Sequence, residues 1–270
     1  MVRYRTDRAG KIKYLFGLLI LISFTACCIN DPCSVHRTDF WASESFHYEV
    51  DAEDQTCFRI HGVNGSIEII GAPDQTMVEI WGDRIVKSES ISDAEIHLKK
   101  LEVSVSSNQN EVYVRTIQPK KTYGRDYEVE YHVRIPGRWQ AVIENVNGEV
   151  IVHSVTNDVS VALINGDTHL DEIFGNIWVD VINGCISSKS ILPYQGICQM
   201  STVNGQIDLK IPEDTSARFC ANVTNGNINI SNLIFNNLNT TRNSATGTLA
   251  EGHGSIKLTL VNGQINVKGF

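Results

Sequence analysis

Hydrophobic and polar residues alternate on both sides of seven Asn-Gly pairs. Aliphatic residues stand two, four and six positions before the Asn, as Leu163, Val161 and Val159 do before Asn165. Residues three and five positions after the Asn are mostly aliphatic as well, as with Ile207. Such period-2 alternation predicts short, half-buried strands on each side of a turn. The pairs are Asn64-Gly65, Asn147-Gly148, Asn165-Gly166, Asn183-Gly184, Asn204-Gly205, Asn225-Gly226 and Asn262-Gly263.

The spacing of these pairs predicts the architecture. From Asn147 to Asn225 they recur after 18, 18, 21 and 21 residues, and a fixed period of this size is typical of a solenoid. Asn and Gly tolerate positive φ, so each pair predicts a sharp structural corner. Stacked Asn side chains at such a corner can hydrogen-bond from coil to coil. We therefore predict an all-β fold built on a parallel β-solenoid, with coils about 4.8 Å apart.

Weaker turn signals lie between the corners. Asn157-Asp158 and Gly175-Asn176 each fall 8 or 10 residues from an Asn-Gly pair, so each coil should contain at least two strands and two turns. Insertions are expected at 189–196, around 212–214 and at 231–254. The last of these separates the final two corners by 37 residues and predicts a long surface loop.

Residues 72–140 break the period. Stretches at 78–86, 101–105, 111–117 and 127–135 predict longer, antiparallel strands. Ser92 and Glu95 have the spacing of a capping box before a short helix. We interpret this part as an antiparallel insertion near the N-terminal end, which forms either a separate lobe or a cover for one end of the solenoid.

The first residues are typical of an exported lipoprotein. Basic residues precede an apolar run at 14–24, which is too short to span a bilayer as a helix. Phe24-Thr25-Ala26-Cys27 resembles the bacterial lipobox, which implies cleavage after Ala26 and acylation of Cys27. An uncleaved anchor or an ordinary signal peptide is the alternative. The predicted parts are a signal peptide at 1–26, a tether at 27–44, a first coil at 45–71, the insertion with its short helix at 72–140 and solenoid repeats at 141–270.

Charge and cysteine content narrow the class of protein. Residues 27–270 carry 18 basic and 30 acidic side chains, a net charge of −12. Phosphate backbones repel such a domain, so we expect no nucleic-acid partner. Seven cysteines favour export, and the six that remain beside Cys27 allow 15 disulfide pairings. Their spacings match no zinc pattern, and we predict no metal and no cofactor.

A few polar and aromatic side chains are candidates for a site. Glu149 and Asp167 both stand two positions after a corner Asn and should stack on the outer face, with His169 close by. These three residues could form a divalent-ion site or an acid pair. The alternative is that Glu149 and Asp167 are a solvated pair that performs no chemistry. Trp178 also has outward parity, which allows either contact with a sugar or partner, or cover by a neighbouring loop.

One basic cluster stands out on the acidic chain. The cluster surrounds a loop at 119–124. It predicts a contact with anionic lipid or glycan, and the alternative is a hairpin loop whose charges are simply solvated. Its members are Arg115, Lys120, Lys121 and Arg125.

The order of these segments carries a resemblance over residues 45–270. A first coil, Ile60-His61-Gly62-Val63-Asn64-Gly65-Ser66-Ile67, precedes an antiparallel part that ends at Ile135-Pro136, and repeated coils follow to Val261-Asn262-Gly263-Gln264-Ile265. This pattern resembles the bacterial β-solenoid domains of unknown function classed as adhesins. The resemblance implies an envelope protein and supplies no catalytic residues.

Two functional classes fit the sequence. We expect a non-catalytic lipoprotein of the bacterial cell envelope, facing the periplasm or cell surface, with a rigid solenoid surface for an unidentified protein or polysaccharide. The alternative is a polysaccharide-acting enzyme on a parallel β-helix, which would need clustered carboxylates or a metal-assisted base in a groove.

The lipobox resemblance makes a direct prediction. Mass spectrometry of the mature N-terminus should find an acylated Cys27, and membrane attachment should depend on it. A Cys27→Ala protein should escape processing and acylation. A Cys27→Ala protein that is still processed and still membrane-bound would show that the anchor lies elsewhere.

Overall fold

The computed structural model describes residues 38–52 and 54–270. The predicted signal peptide, Cys27 and the first part of the tether lie outside these residues. The described residues are all-β with one short helix, as predicted. Its elements are β1 Phe40–Asp51, β2 Cys57–His61, β3 Ile67–Ala72, β4 Met77–Ser88, α1 Ile91–Leu98, β5 Glu102–Ser107, β6 Glu111–Ile117, β7 Asp126–Pro136, β8 Gln140–Asn147, β9 Val150–His153, β10 Val159–Asn165, β11 Thr168–Ile173, β12 Ile177–Asn183, β13 Ile186–Ser190, β14 Ile197–Ile211, β15 Ala217–Ser231, β16 Phe235–Thr240, β17 Ser244–Leu249 and β18 Gly254–Gly269. None of the helices in the described residues is long and apolar enough to cross a membrane.

The strands form one continuous mixed sheet that bends at the Asn-Gly corners into two faces. Strands before a corner make face A, strands after it make face B, and β14, β15 and β18 run through the corner into both. Neighbouring coils pair in parallel and in register, so that Val161 lies beside Val179 on face A and Thr168 beside Ile186 on face B. Alternate side chains of both faces are buried. Each buried aliphatic residue contributes about 1.5–3 kcal/mol to stability.

In the part of the chain that the structure describes, eight coils stack along the solenoid. Their spatial order differs from their order in the chain at both ends. We number them in spatial order. Coil I is β6–β7, coil II is β2–β3, coil III is β8–β9, coil IV is β10–β11, coil V is β12–β13, coil VI is β14, coil VII is β18 and coil VIII is β15.

The C-terminal strand β18 lies between β14 and β15. It pairs with β14 from Ser255 to Gly269, and with β15 from Gly254 to Lys268, in parallel on both sides. The position next to β14 is therefore occupied by the last strand of the chain, and the next strand in the chain, β15, lies one position further along the stack. All three strands carry the same Asn-Gly corner and the same alternation, so β18 fits between them without a change of register.

The segment 231–254 is not the long surface loop that its composition predicts. It contains the antiparallel hairpin β16–β17, and β17 pairs with the first half of β15. Phe235 packs edge-to-face on Phe219 of coil VIII, with ring centroids 5.3 Å apart. The Asn- and Thr-rich hairpin thus covers the face A edge of the terminal coil, because an uncovered strand would leave its backbone groups unpaired.

The N-terminal end combines antiparallel and parallel pairs. Strand β4 pairs antiparallel with β1 and with β7, and β5 pairs antiparallel with β6. Yet β6 and β7 also pair in parallel with β2 and β3. Part of the predicted insertion is therefore a solenoid coil, and the rest continues the two faces beyond it. Strand β1, which the predicted tether and first coil share, belongs to this antiparallel part.

Helix α1 begins earlier than the predicted capping box. Ser90 is the N-cap, and its Oγ accepts a hydrogen bond from the Asp93 N–H at 3.2 Å. Ser92 and Glu95 therefore lie inside the helix. Asp93 accepts two hydrogen bonds from Arg125, at 2.5 and 2.8 Å, and one from Ser88. The Arg125 guanidinium and the Ser88 hydroxyl hold the pKa of Asp93 well below its usual range.

The Asn side chains of the corners form a continuous hydrogen-bonded ladder. Each Nδ2 donates to the Oδ1 of the preceding Asn: Asn147 to Asn64 at 2.6 Å, Asn165 to Asn147 at 2.7 Å, Asn183 to Asn165 at 2.8 Å, Asn204 to Asn183 at 2.8 Å, Asn262 to Asn204 at 2.8 Å and Asn225 to Asn262 at 2.9 Å. Asn64 continues the ladder into coil I by donating to the Tyr127 carbonyl at 2.8 Å. The amides all point the same way, so each bond polarises the next.

The glycine after each Asn lets the coils approach closely. Gly205 has φ of +153°, and a Cβ at this position would lie 2.0 Å from the Gly184 carbonyl oxygen. The Gly184 N–H in turn donates to the Asn204 carbonyl at 2.8 Å. A side chain would have to displace the backbone of the neighbouring coil, since no flexible group stands at the contact.

We expect the close approach at Gly205 to make substitution costly. Gly205→Val should lower the free energy of unfolding by at least about 1–3 kcal/mol, because it adds backbone strain to a clash. Gly205→Ala should follow in the same direction. Gly137→Ala is the matched control, since its Cβ would meet its nearest neighbour, the Ser154 carbonyl oxygen, at an ordinary 3.4 Å. Thermal and denaturant unfolding measure the stability of each variant. Equal losses of unfolding free energy for Gly205→Ala and Gly137→Ala would contradict the corner geometry.

Candidate contact surface

The predicted acidic candidates lie on the outer side of face B and take separate partners. Glu149 and Asp167 occupy coils III and IV, as their sequence positions require. Glu149 Oε1 lies 3.1 Å from His169 Nε2, whereas Asp167 Oδ1 accepts a hydrogen bond from the Cys185 N–H at 2.7 Å. Asp167 thus links coil IV to coil V. The three side chains stand on an open sheet surface.

Trp178 lies on the outer side of face A. It is half-buried, with Ser160 of coil IV and Gln199 of coil VI as its neighbours across the sheet. No aromatic ring of the described residues stacks on it.

The basic cluster around the loop at 119–124 is divided. Arg125 is engaged by Asp93, and its pKa is raised chiefly by that hydrogen bond. Arg115 lies on β6 beside His61 of β2. Lys120 and Lys121 remain in the loop. The four residues therefore do not form one positive surface.

A groove on the antiparallel part of face B offers a stronger contact surface. Trp81 of β4 lies between His47 of β1 and His132 of β7. The rings of Trp81 and His132 stack at 5.8 Å between centroids, with an interplanar angle of 21°. The Arg134 guanidinium lies 5.6 Å from the Trp81 ring centroid. Antiparallel pairing places these side chains in one row, because directly opposed residues project to the same side of a sheet.

Charged groups fix this aromatic row in place. Arg134 donates to Glu79 at 3.0 Å, and His132 Nδ1 lies 2.7 Å from Glu68. On the other side of Trp81, Ser45 donates to Asp83 at 2.6 Å. We call this the Trp81 groove. It is open to solvent, has a volume of about 620 Å³ and is lined by Ser45, Phe46, His47, Glu79, Trp81, Gly82, Asp83, His132 and Arg134.

A second, smaller groove adjoins the first corner. It holds about 370 Å³ and brings together Glu128, Glu130 and Glu149 beside the Asn64 and Asn147 corners. Lys87 donates to Glu128 at 2.8 Å, and this contact raises the pKa of Lys87. The remaining carboxylates keep the surface next to the Trp81 groove acidic.

The sequence did not single out Trp81. Its outward parity in β4 is readable, and so is that of His132 in β7. Their meeting depends on the antiparallel register of β4 against β7, which pairs residues 51 positions apart. Nothing in the solenoid period reports that register, because β4 stands outside the repeat.

Neither groove is lined by any of the described cysteines. Cys57, Cys185, Cys198 and Cys220 are free thiols. Burial raises the pKa of Cys198 to about 12, which keeps that thiol protonated. Within residues 38–52 and 54–270, no group of three or more His, Cys, Asp or Glu side chains has the arrangement of a metal site. The polar and aromatic side chains that line the Trp81 groove are suited to hydrogen bonding and stacking.

Sequence comparison places the chain in a family. Residues 85–268, about two thirds of the chain, match the model of the family described as Toastrack DUF4097. The protein belongs to this family, in agreement with the resemblance drawn from the repeated coils. None of the curated proteins matches it in sequence.

Structure comparison finds distant similarity to several crystal structures. A proposed cell adhesion protein of Clostridium sporogenes is 14% identical with a TM-score of 0.48, over 85% of this chain and 100% of its own. A proposed adhesin of Bacteroides fragilis is 11% identical with a TM-score of 0.36, over 84% and 97%. A proposed lipid-binding protein of Parabacteroides distasonis is 10% identical with a TM-score of 0.29, over 83% and 96%. The assignment of the chain to its family is based on the family model and not on these structures.

Proposed function

We propose that this protein is a non-catalytic lipoprotein of the bacterial cell envelope, and that its Trp81 groove contacts a polysaccharide. The observation that carries the proposal is the partly exposed Trp81 ring, stacked on the His132 imidazole and flanked by carboxylates and the Arg134 guanidinium. An aromatic ring offers apolar area to the C–H face of a sugar. Glu79, Asp83 and Arg134 offer acceptors and donors for its hydroxyls.

The shape of the groove supports a polymer rather than a small molecule. Enclosed sites bury most of a small ligand, whereas this groove lies open on the sheet. A linear chain can cross it and leave at both ends. The Asn ladder makes the neighbouring surface rigid, so binding loses little conformational entropy of the protein. A second envelope protein is the alternative partner, since aromatic rings also anchor protein interfaces.

The proposed localisation is based on the predicted N-terminal signal sequence at 1–26. The lipobox resemblance supports attachment by a lipid at Cys27, which would hold the solenoid at a membrane surface in the periplasm or outside the cell. The net negative charge supports the exclusion of nucleic acid as a partner.

Substitution of Trp81 tests the proposed groove. Full-length protein should be retained on at least one member of a panel of immobilised neutral polysaccharides, such as cellulose, chitin and dextran. Trp81→Ala should weaken that retention at least tenfold. Trp41→Ala is the matched control, because Trp41 is a 65% exposed tryptophan of β1 outside the groove, and it should bind as the wild type does. Lack of retention on every polymer, or equal loss in both variants, would contradict the proposal.

The enzyme alternative has its own test. We expect Glu149, Asp167 and His169 to perform no chemistry, because an acid–base site needs a further positioned group and partial desolvation. Incubation with the same polysaccharides should release no reducing ends. If cleavage occurs, and Asp167→Asn abolishes it without lowering the melting temperature, the enzyme interpretation replaces the binding interpretation.

A further inference from the structure

Three lysines from separate parts of the chain line up on face B. Lys189 lies beside Lys210, and Lys210 lies beside Lys268, in the consecutive coils V, VI and VII. Adjacent strands are about 4.8 Å apart, so the three side chains emerge at one-strand intervals along the solenoid axis. All three are exposed. We call them the lysine ladder.

No carboxylate of the described residues forms an ion pair with the ladder. The lysines and arginines that pair with carboxylates are Arg59, Arg84, Lys87, Arg125 and Arg134. Asp171 of coil IV lies beside Lys189 in the sheet, and the basic group within 4.0 Å of its carboxylate is His153. Asp208 shares the outer face with Lys210, but its oxygens accept hydrogen bonds from Gln206 and Asn266, each at 2.7 Å. Three like charges at this spacing repel one another, and that repulsion is relieved when anions of matching spacing bind.

The ladder also lies at the less acidic end of the molecule. Residues 181–270 contain six basic and four acidic side chains, whereas residues 38–180 contain eleven basic and twenty-five acidic ones. An anionic ligand is therefore repelled by most of the surface and directed toward coils V–VII.

Aromatic rings border the ladder where face B ends. The Lys189 ammonium lies 5.3 Å from the centroid of the Phe270 ring. Tyr194 is 74% exposed and packs against His253 in a tilted arrangement, with 4.7 Å between ring centroids and an interplanar angle of 46°. It lines a small groove of about 210 Å³, formed by the turns that follow the ladder strands. Exposed rings beside a line of cations are suited to sugar rings that carry acid groups.

We propose that the lysine ladder binds a linear anionic polysaccharide with one carboxylate on each sugar. A sugar ring is about as long as one strand spacing, so successive carboxylates can meet successive lysines. The polymer would run along the solenoid axis, across the strands. A bilayer would call for charges spread in two dimensions, whereas these three follow one line. The site is separate from the Trp81 groove and does not depend on it.

Binding of polygalacturonate to the full-length protein at low salt tests the proposal. The wild type should bind, and the affinity should fall steeply as salt rises. The triple variant Lys189→Gln, Lys210→Gln, Lys268→Gln should lose at least tenfold in affinity. Replacement of the same three lysines by Arg should retain binding, since charge and spacing are kept. The single variant Lys210→Gln should show a smaller loss with an unchanged melting temperature.

The matched control changes the same net charge elsewhere. Lys99→Gln, Lys100→Gln, Lys257→Gln should bind polygalacturonate as the wild type does, and so should Trp81→Ala. The proposal is overturned if the wild type does not bind polygalacturonate, or if the two triple Gln variants lose affinity for it equally. It is also overturned if the three lysines are required for binding to micelles containing phosphatidylglycerol but not for binding to polygalacturonate. None of these results bears on retention through Trp81, so the two sites succeed or fail separately.

Discussion

The contact between Asn-Gly corners of neighbouring coils is the constraint on which the remaining structure depends. At each corner the glycine backbone comes close enough to the next coil to exclude a Cβ, and the Asn side chains bond along the stack. Together these contacts fix the register of both faces. A slip of one residue would turn every inward aliphatic side chain toward solvent. The lysine ladder on the outer surface therefore has a position set by the corners.

The uniform corner also explains why stacking order and chain order diverge. Strand β18 can occupy the place between β14 and β15 because its Asn262-Gly263 pair meets Asn204 on one side and Asn225 on the other. Coil I lacks the pair, and its Tyr127 carbonyl accepts the end of the ladder instead. A repeat whose members are interchangeable in register does not itself dictate which member lies next to which. The lysine ladder is one consequence, since Lys268 is adjacent to Lys210 only because of this order.

The local pattern and the parallel stacking of the repeated coils are readable from the sequence, whereas the order of the coils at both ends and the pairing outside the period are not. Alternation around Asn165 or Asn204 reports strands, inward residues and corners, because these depend on neighbours in the chain. The sequence predicts a helix cap at Ser92, yet the cap lies earlier in the chain, with the Ser90 Oγ accepting from the Asp93 N–H. The Asp93 side chain is held by Arg125 from a distant loop, a contact that no local pattern indicates. The sequence predicts a loop where the hairpin β16–β17 lies, because an Asn-rich composition normally indicates a loop. The Trp81 groove depends on the register of β4, which lies outside the period.

A double-mutant cycle on the Asn ladder tests most directly whether the corners hold the coils together. Asn165→Ala, Asn183→Ala and the double variant should show a coupling free energy of about 0.5–1 kcal/mol in denaturant unfolding, because each single change already breaks the bond between them. The pair Asn64 and Asn225, at the two ends of the ladder, should be additive within about 0.3–0.5 kcal/mol. Additivity for Asn165 and Asn183 would contradict the account, because the ladder would then contribute nothing to the register of the stack.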